Sequence, residues 1–569
     1  MTTYSEAIAA LTAPDQMFAL TEADSPHGRL RDFTNRPRTV RDLVALSAAH
    51  GDREFAVQGA RRVTYAEWAR LVWGTAAALE EAGLRKGDRI ALLGYNSLDY
   101  VITLFAAVSI GAIAVTLNGW WSAEELEYGL ADSGSRFLAV DDVLFPRVRD
   151  VVAAMPSLDT VLVGPEAPLD GAGPRRLRWA SVVREGDAPP TVELDSGDPF
   201  VILYTSGTTG RSKGCITTHG GTVTQVMGIV LHGAATAMSV GGSPVPGGEP
   251  GQAPAQQTVL LTSPLFHVAA THCSVCTGLV VGTRMVFTDG RFSPEQVLGL
   301  IERERIDTWA AIPTMLQRVV TSPALKDYDT SSLKSVSFGG APTAPGTMER
   351  AREVFDLAER LTNVYGMTET HGMAMACSGS DLASRPGSIG RPLPFLDAQI
   401  VDEEGNELPP GEPGELIVRG PTVTPGYWNR PDATAAAIRD GWLWTGDVAY
   451  RDTDGYLFLV DRSKDMVIRG GENVYCVEIE NCIGEHPDVD EAAVLGVPDD
   501  DLGERVKAIV RVVDGRSLSV DDVRRHVAAR LASFKVPEVV EFVTEPLPRN
   551  AAGKLLKNDL RARYAAASV

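Results

Sequence analysis

Tyr204-Thr-Ser-Gly-Thr-Thr-Gly-Arg-Ser-Lys-Gly214 gathers three glycines, five Ser/Thr hydroxyls and one lysine in a single short stretch. The apolar run Phe200–Leu203 leads straight into it. Glycines let the backbone approach an anion, and main-chain N–H groups can then point inward as a nest. The hydroxyls add donors, and Lys213 adds a mobile positive charge. A polyphosphate is the natural guest of such a loop. A P-loop would place its lysine directly after a glycine, as GxxxxGK[ST]. Here Lys213 follows Ser212, so the loop departs from the Walker pattern.

Other chemistry-bearing groups are thinner. Cys273 and Cys276 form a CxxC with His267 and His272 nearby, but no second pair exists to complete a zinc site. The other cysteines, Cys215, Cys377, Cys476 and Cys482, are scattered, which predicts buried thiols in a reducing cytosol. No G-x-S-x-G elbow is present. The net charge of −21 argues against nonspecific nucleic-acid binding and against an anionic membrane surface. An anionic substrate must then be attracted by a local cluster. With 44% hydrophobic and 22% charged residues, the chain can bury a large core.

The elements that must position these groups alternate between strand and helix. Thr39–His50 has helical apolar spacing, and Glu54–Gln58 reads as a strand. Thr64-Tyr-Ala-Glu67 is a capping box opening a helix that Gly83 closes. Strands are expected at Arg89–Leu93, Phe137–Val140, Thr160–Val163, Thr258–Leu261 and Ser335–Phe338. Helices are expected after Ser122-Ala-Glu-Glu125 and Ser293-Pro-Glu-Gln296. The uncharged run Tyr100–Trp121 is long enough to span a bilayer. Gly111 divides it, however, and β-branched residues crowd its second half, so a buried helix followed by a buried strand is predicted. Residues 1–38 read as irregular. The N-terminus lacks a basic segment followed by an apolar one, so no signal peptide is expected. His232–Gln257, rich in Gly, Ala, Pro and Ser, reads as a flexible surface insertion. Composition shifts near residue 400 to short strands and turns, a small β-rich subdomain. Strands and helices resume after about 465. Together these predict an α/β protein: a large N-terminal domain of layered sheets with the β-rich subdomain, over 1–463, and a small mobile α+β domain over 464–569. Three strand ends carry glycine or hydroxyl clusters, near 205, 339 and 367. Because ligands of doubly wound sheets sit beyond the carboxyl ends of strands, one shared site is expected.

From about residue 40 to 560 the chain resembles the adenylate-forming superfamily of acyl-CoA synthetases, peptide-synthetase adenylation domains and beetle luciferases. Asp461-Arg-Ser-Lys-Asp-Met-Val-Ile-Arg-Gly-Gly-Glu-Asn-Val-Tyr475 is most similar to the bacterial fatty- or aryl-acid:CoA ligases. The resemblance implies a carboxylate attacking the α-phosphorus of ATP, then transfer of the acyl group from the acyl-AMP to coenzyme A. Both adenylation reactants are anions, so the site must neutralise charge and hold them in line. It implies a phosphate grip by Thr205, Ser206, Gly207, Thr208, Thr209, Gly210 and Lys213. The family usually has Pro where this chain has Ser212, which would loosen the loop but remove no donor.

Further roles follow from the same resemblance. Gly340-Ala341-Pro342 would line the adenine, Tyr365 would stack on it, and Asn363 would reach its amino group beside Gly366. Thr368 would bind the α-phosphate, and Glu369 would ligate Mg²⁺. Asp447 of Trp444-Thr-Gly-Asp447 would accept from the ribose hydroxyls, assisted by Arg462. Lys554 of Pro548-Arg-Asn-Ala-Ala-Gly-Lys554 would be the catalytic lysine, bridging carboxylate and α-phosphate. His267, after Pro264-Leu-Phe, would be a gating aromatic by the acyl pocket. Trp309, Thr314, Gly339, Met367, His371 and Met373 are expected to line that pocket. Lys464 matches the hinge about which the C-terminal domain rotates. Gly470, Gly471, Glu472 and Asn473 resemble the pantetheine tunnel, although the Pro often found near Cys476 is absent. Expected partners are a small carboxylic acid, ATP, Mg²⁺ and CoA, in the cytoplasm and in fatty-acid metabolism, with no nucleic acid and no integral membrane segment. Homodimers occur in the family, but no stretch identifies an interface. A carrier-protein thiol or an amine stays open as the acceptor. The absence of a carrier domain after residue 569 favours free CoA.

Overall fold

The computed structural model describes the chain except residues 1, 26, 206–210, 243–254, 341–344, 358–360, 463–464, 470–471, 500–501, 551–553 and 565–569. Its first sheet has seven strands in the order Lys213–Thr218, Pro199–Thr205, Ile113–Thr116, Arg89–Leu93, Phe137–Val140, Thr160–Val163, Arg175–Arg178. The central members are parallel and almost wholly buried. Strands covered on both faces need no polar alternation, which is why they read as unbroken apolar runs. Only Lys213–Thr218 runs antiparallel to its neighbour, with Thr205 opposite Lys213. The glycine-rich stretch therefore connects two antiparallel strands at a sheet edge. A P-loop would instead lead into a helix.

The second sheet is larger and mixed. Thr258–Leu261, Arg284–Phe287, Thr308–Ala311, Ser335–Gly339 and Leu361–Met367 form its parallel centre. Gly372–Ser378 and Ser388–Pro392 continue it antiparallel. Ser388–Pro392 then pairs with Leu457–Arg462, and through it with Trp442–Arg451, Gly414–Arg419 and Asp397–Val401. The β-rich stretch after residue 400 is thus an extension of the main sheet, joined by hydrogen bonds across the Ser388–Phe458 register. A third sheet of five strands, Val467–Arg469, Glu472–Val474, Val489–Asp499, Gly503–Val512 and Val539–Val543, builds the small C-terminal domain.

Local signals explain the helices. Thr64 and Glu67 cap Tyr65–Ala82 reciprocally, and Gly83 at φ 106° ends it in the left-handed region. Removing such a cap costs about 1 kcal/mol. Trp68 from this helix stacks on Phe55, with ring centroids 4.2 Å apart, inside the main core. The uncharged run resolves into helix Leu98–Ser109 and strand Ile113–Thr116, separated by Gly111 at φ 78°. Among the described residues no helix is long and apolar enough to cross a membrane.

Two expectations fail. Residues 1–38 are not irregular: Thr3 and Glu6 form a capping box on helix Tyr4–Leu11, and Leu20–Ser25 pairs with Gly28–Phe33 as a hairpin. The Thr-x-x-Glu signature was present, but the short helix it opens has little apolar periodicity of its own. It is held by packing, through Tyr4 Oη at 2.8 Å from His232 Nδ1 and Arg391 at 2.7 Å from Ser5 Oγ. The supposed insertion is helical at its start, because helix His219–Ser239 runs through His232. Its small residues pack closely there, with Ala234 and Ala235 buried. Its remainder at 243–254 lies outside the described residues.

Candidate active site

The phosphate-loop candidates Ser206, Gly207, Thr208, Thr209 and Gly210 lie outside the described residues, but both loop ends are firmly held. Before the loop, Tyr204 Oη donates to Asp132 Oδ2 at 2.8 Å. After it, Ser212 O accepts from Tyr128 Oη at 3.0 Å, and Arg211 lies over the Tyr128 ring at 5.2 Å. Asp132 and Tyr128 belong to helix Ala123–Ser133, and Arg430 binds both of them, at 3.0 and 2.8 Å. Lys213 stands at the start of its strand with Nζ 5.1 Å from the centre of the Tyr427 ring.

A cleft of about 2190 Å³ opens between the second sheet and the C-terminal domain. Its walls include Thr314, Gly340, Asn363, Tyr365, Met367, Asp447 and Lys554. Asn363, Tyr365 and Met367 belong to strand Leu361–Met367, and Gly366 between them is a close-approach glycine. A Cβ there would fall 1.8 Å from the Gly372 carbonyl oxygen. Asn363 donates its amide to Ser388 O at 2.8 Å. Tyr365 Oη donates to Asp447 Oδ2 at 2.8 Å, both residues being buried. The two motifs that sequence reading set apart thus share a hydrogen bond. Arg462 is paired in backbone register with Asp447. Thr368 and Glu369 follow in a short 3-10 turn, with Glu369 buried and its Oε1 accepting from Tyr427 Oη at 2.8 Å.

From the other wall comes Lys554. Its loop closes on itself: Lys554 N donates to Asn550 Oδ1 and Asn550 N donates to Lys554 O, both at 2.9 Å. Leu556 N donates to Pro548 O at 2.9 Å. Glu491 accepts from Leu547 N at 2.8 Å, while Lys557 pairs with Glu480 at 2.9 Å. Lys554 also lies close enough to His267 to act on its titration. Burial pushes the His267 imidazole down to about 4, and the Lys554 ammonium works in the same direction. His267 Nε2 is buried without a hydrogen-bond partner in the structure. An unpartnered buried ring nitrogen beside a catalytic-type lysine fits a residue facing a ligand.

Of the expected acyl-pocket residues, His371, Trp309, Met373 and Gly339 do not line this cleft. His371 is fully buried, at φ 56°, and both ring nitrogens are used. Nε2 accepts from Thr218 N at 2.9 Å, and Nδ1 donates to Thr422 O at 2.6 Å. It clamps two segments together through both nitrogens. Trp309 is likewise fully buried, its indole N–H donating to Thr262 Oγ1 at 3.0 Å in the core beneath the parallel strands. Met373 is buried on strand Gly372–Ser378, and Gly339 ends its own strand against Val364. Thr314 and Met367 do line the cleft. Ala341, Pro342, Lys464, Gly470 and Gly471 lie outside the described residues, and for Glu472 and Asn473 only the strand backbone is described. Among the described residues no cluster of His, Cys, Asp and Glu could hold a metal on its own, and all six cysteines are free thiols.

Sequence reading missed Tyr427, Tyr128, Asp132, Arg430 and Asn550. Gly426-Tyr-Trp-Asn-Arg-Pro431 offered a signal, since paired aromatics in a Gly/Pro loop need a reason to be there.

Comparison with known proteins agrees with this arrangement. The AMP-binding enzyme family model matches residues 44–428, and the AMP-binding enzyme C-terminal domain model matches 478–554. A feruloyl-CoA synthase from Amycolatopsis sp is 37% identical over 89% of this chain and 95% of its own length. A fatty acid–[acyl-carrier-protein] ligase of Streptomyces coeruleorubidus is 34% identical over 92% of this chain and 97% of its own. An anthranilate CoA ligase, solved with anthranoyl-AMP, superposes with a TM-score of 0.82 at 25% identity, covering 92% of this chain and 97% of that one. The chain belongs to the AMP-binding enzyme family, the adenylate-forming superfamily.

Proposed function

We propose that the chain is an ATP-dependent acid:CoA ligase, carried by one observation: Lys554 of the C-terminal domain reaches the same cleft as Asn363, Tyr365 and Asp447. A carboxylate oxygen attacks the α-phosphorus, a P–O bond forms, and the bond to the β-phosphate oxygen breaks to release pyrophosphate. The CoA thiol then attacks the acyl carbonyl, loses its proton, and AMP leaves. Lys554 supplies charge at the α-phosphate during the first step. Lys213 and the hydroxyls around it hold the leaving pyrophosphate. Tyr365 and Asn363 bind the base, Asp447 the ribose, and Thr368 the α-phosphate. Glu369 is the protein's carboxylate for Mg²⁺. A single carboxylate among phosphate oxygens suits this cation, which is usually held by one or two carboxylates plus substrate.

We assign the boundary between the two domains to 463/464, with Lys464 as hinge and the 470–473 stretch beside the thiol path. The Lys554 loop supports this, because its bonds close within the C-terminal domain and let it travel as a unit. ATP and CoA supply places the reaction in the cytoplasm. The 34% identity to a carrier-protein ligase favours a second reading, in which the acceptor thiol belongs to a carrier protein. A panel of aryl and alkyl acids in a pyrophosphate-release assay, with and without CoA, tests both. Thioester and AMP appearing only with CoA supports the ligase. Acyl-AMP that CoA does not consume, but a carrier protein does, replaces it with the second reading.

A further inference from the structure

We infer that Tyr427 is a positioning residue for adenylation, one side chain that sets the pyrophosphate-side lysine and the cation-side carboxylate relative to each other. The inference rests on the ligase reading of the site. Its hydroxyl donates to Glu369 Oε1 at 2.8 Å, and its ring carries Lys213 Nζ 5.1 Å from the centroid. The aromatic face attracts the ammonium, and the phenol fixes the carboxylate.

The backbone around Tyr427 is held for that role. Gly426 O accepts from Ile216 N at 3.1 Å and Trp428 N donates to Gly214 O at 2.7 Å, so the segment rides on the strand that Lys213 begins. On its other side Thr424 N donates to Glu369 O at 2.8 Å. Tyr427 N donates to Thr434 Oγ1 at 2.9 Å. Five residues, Thr424 to Trp428, therefore grip both the strand after the phosphate loop and Glu369. Lys213 and Glu369 are far apart in sequence; Lys213 begins a strand of the first sheet, and Glu369 sits in the 3-10 turn that follows a strand of the second. Their phosphate-facing groups must agree in position to well under 1 Å for in-line attack, since a misplacement of that size can cost about 10²-fold in rate. A single ring touching both is a direct way to couple them.

The two contacts can be removed separately. Tyr427→Phe deletes the hydroxyl and keeps the ring; Tyr427→Leu deletes both. Binding of a non-hydrolysable ATP analogue is measured by calorimetry with Mg²⁺ and with EDTA. Tyr427→Phe should weaken binding about tenfold with Mg²⁺, the scale of one hydrogen bond to a charged group, and leave the EDTA value unchanged. Tyr427→Leu should weaken it under both conditions. Pyrophosphate exchange into ATP should fall in step, while thioester formation from preformed acyl-adenylate stays within about twofold. Tyr427→Phe binding the analogue like wild type with Mg²⁺ overturns the inference. So does an equal loss in both half-reactions, which marks a merely structural tyrosine. If Tyr427→Leu does not fold, Tyr427→Phe alone decides. Failure of the ligase reading would show separately, as wild-type protein that exchanges no pyrophosphate with any acid while the binding titrations remain readable.

Discussion

The two walls of the cleft are built on different principles. On the N-terminal wall each functional side chain is held by a partner from a distant part of the chain: Tyr365 by Asp447, Asn363 by Ser388, Glu369 by Tyr427. That wall is preorganised by long-range topology. On the C-terminal wall Lys554 is held by Asn550, four residues away, and by anchors within its own domain. The difference suits the two tasks. Nucleotide recognition gains from groups fixed before ATP arrives. On the proposed two-step reaction Lys554 serves one half-reaction and obstructs the other, and a lysine that moves gains from local geometry that stays intact.

Acid should separate the walls most strongly. Burial holds His219, His232 and His371 down to about 4, and His272 is also pushed well down. All four belong to the N-terminal domain. A ring kept neutral when folded takes a proton near pH 6.5 once unfolded, so the unfolded state binds more protons below that pH. Stability is complete above pH 6.5 and falls as pH drops toward 4, by about 1.4 kcal/mol per pH unit for each ring. The C-terminal domain carries only His486 and His526, neither fully buried. All nine tryptophans precede residue 445, so their fluorescence reports the N-terminal domain alone. The fluorescence shift should come at higher pH than loss of amide protection in the Gly503–Val512 strand. Coincident transitions would mean the walls are not independent.

Next in size, Lys554→Ala should slow acyl-adenylate formation at least ~10²-fold, the order seen on removing one charge-stabilising donor. Thioester formation from preformed acyl-adenylate should change less than about threefold, because on the proposed domain rotation the lysine is then out of the cleft. Equal losses in both steps would mean that Lys554 stays in the cleft throughout. Asn550→Ala tests the local closure itself. It removes the acceptor of the Lys554 N–H, and adenylation should fall about tenfold with thermal stability nearly unchanged. A large drop in melting temperature would instead make Asn550 a part of the domain's fold.

How far the sequence speaks also differs between the walls. Strands such as Glu54–Gln58 and Arg89–Leu93, and caps such as Thr64/Glu67 and Gly83, emerge as read, since their signals lie within a few residues. Lys554, Asp447 and Tyr365, far apart in sequence, line one cleft. What stayed hidden is contact between distant segments. Nothing near Tyr427 names Glu369 as its partner, and nothing near His371 reveals that Thr218 and Thr422 will take both its nitrogens. Trp309 looked available for a substrate because side-chain depth has no linear signature; Thr262, its partner, lies on a neighbouring parallel strand's end. The β-rich stretch reads correctly as short strands, but its pairing to the main sheet across Ser388 and Phe458 is likewise invisible until the chain is folded.

The smallest effect probes the fixed wall at its centre. Tyr365→Phe keeps the ring that lines the cleft and removes the 2.8 Å bond to Asp447. A carboxylate offers about four acceptor positions, so the phenol and the ribose hydroxyls need not compete for Asp447. The phenol's contribution is orientation before ATP binds. A bond to a carboxylate is worth about 1.5 kcal/mol or more, but the proposed ribose donors restore part of it when ATP binds, so the net loss is about 1 kcal/mol and the ATP KM should rise about fivefold. On the proposed ribose role of Asp447, ground state and transition state use the same seat, so kcat should stay within about twofold. A fall in kcat at unchanged KM would place the Tyr365–Asp447 bond among interactions made only in the transition state. The N-terminal wall would then tighten during the reaction, and the contrast between a preformed wall and a travelling one would fail.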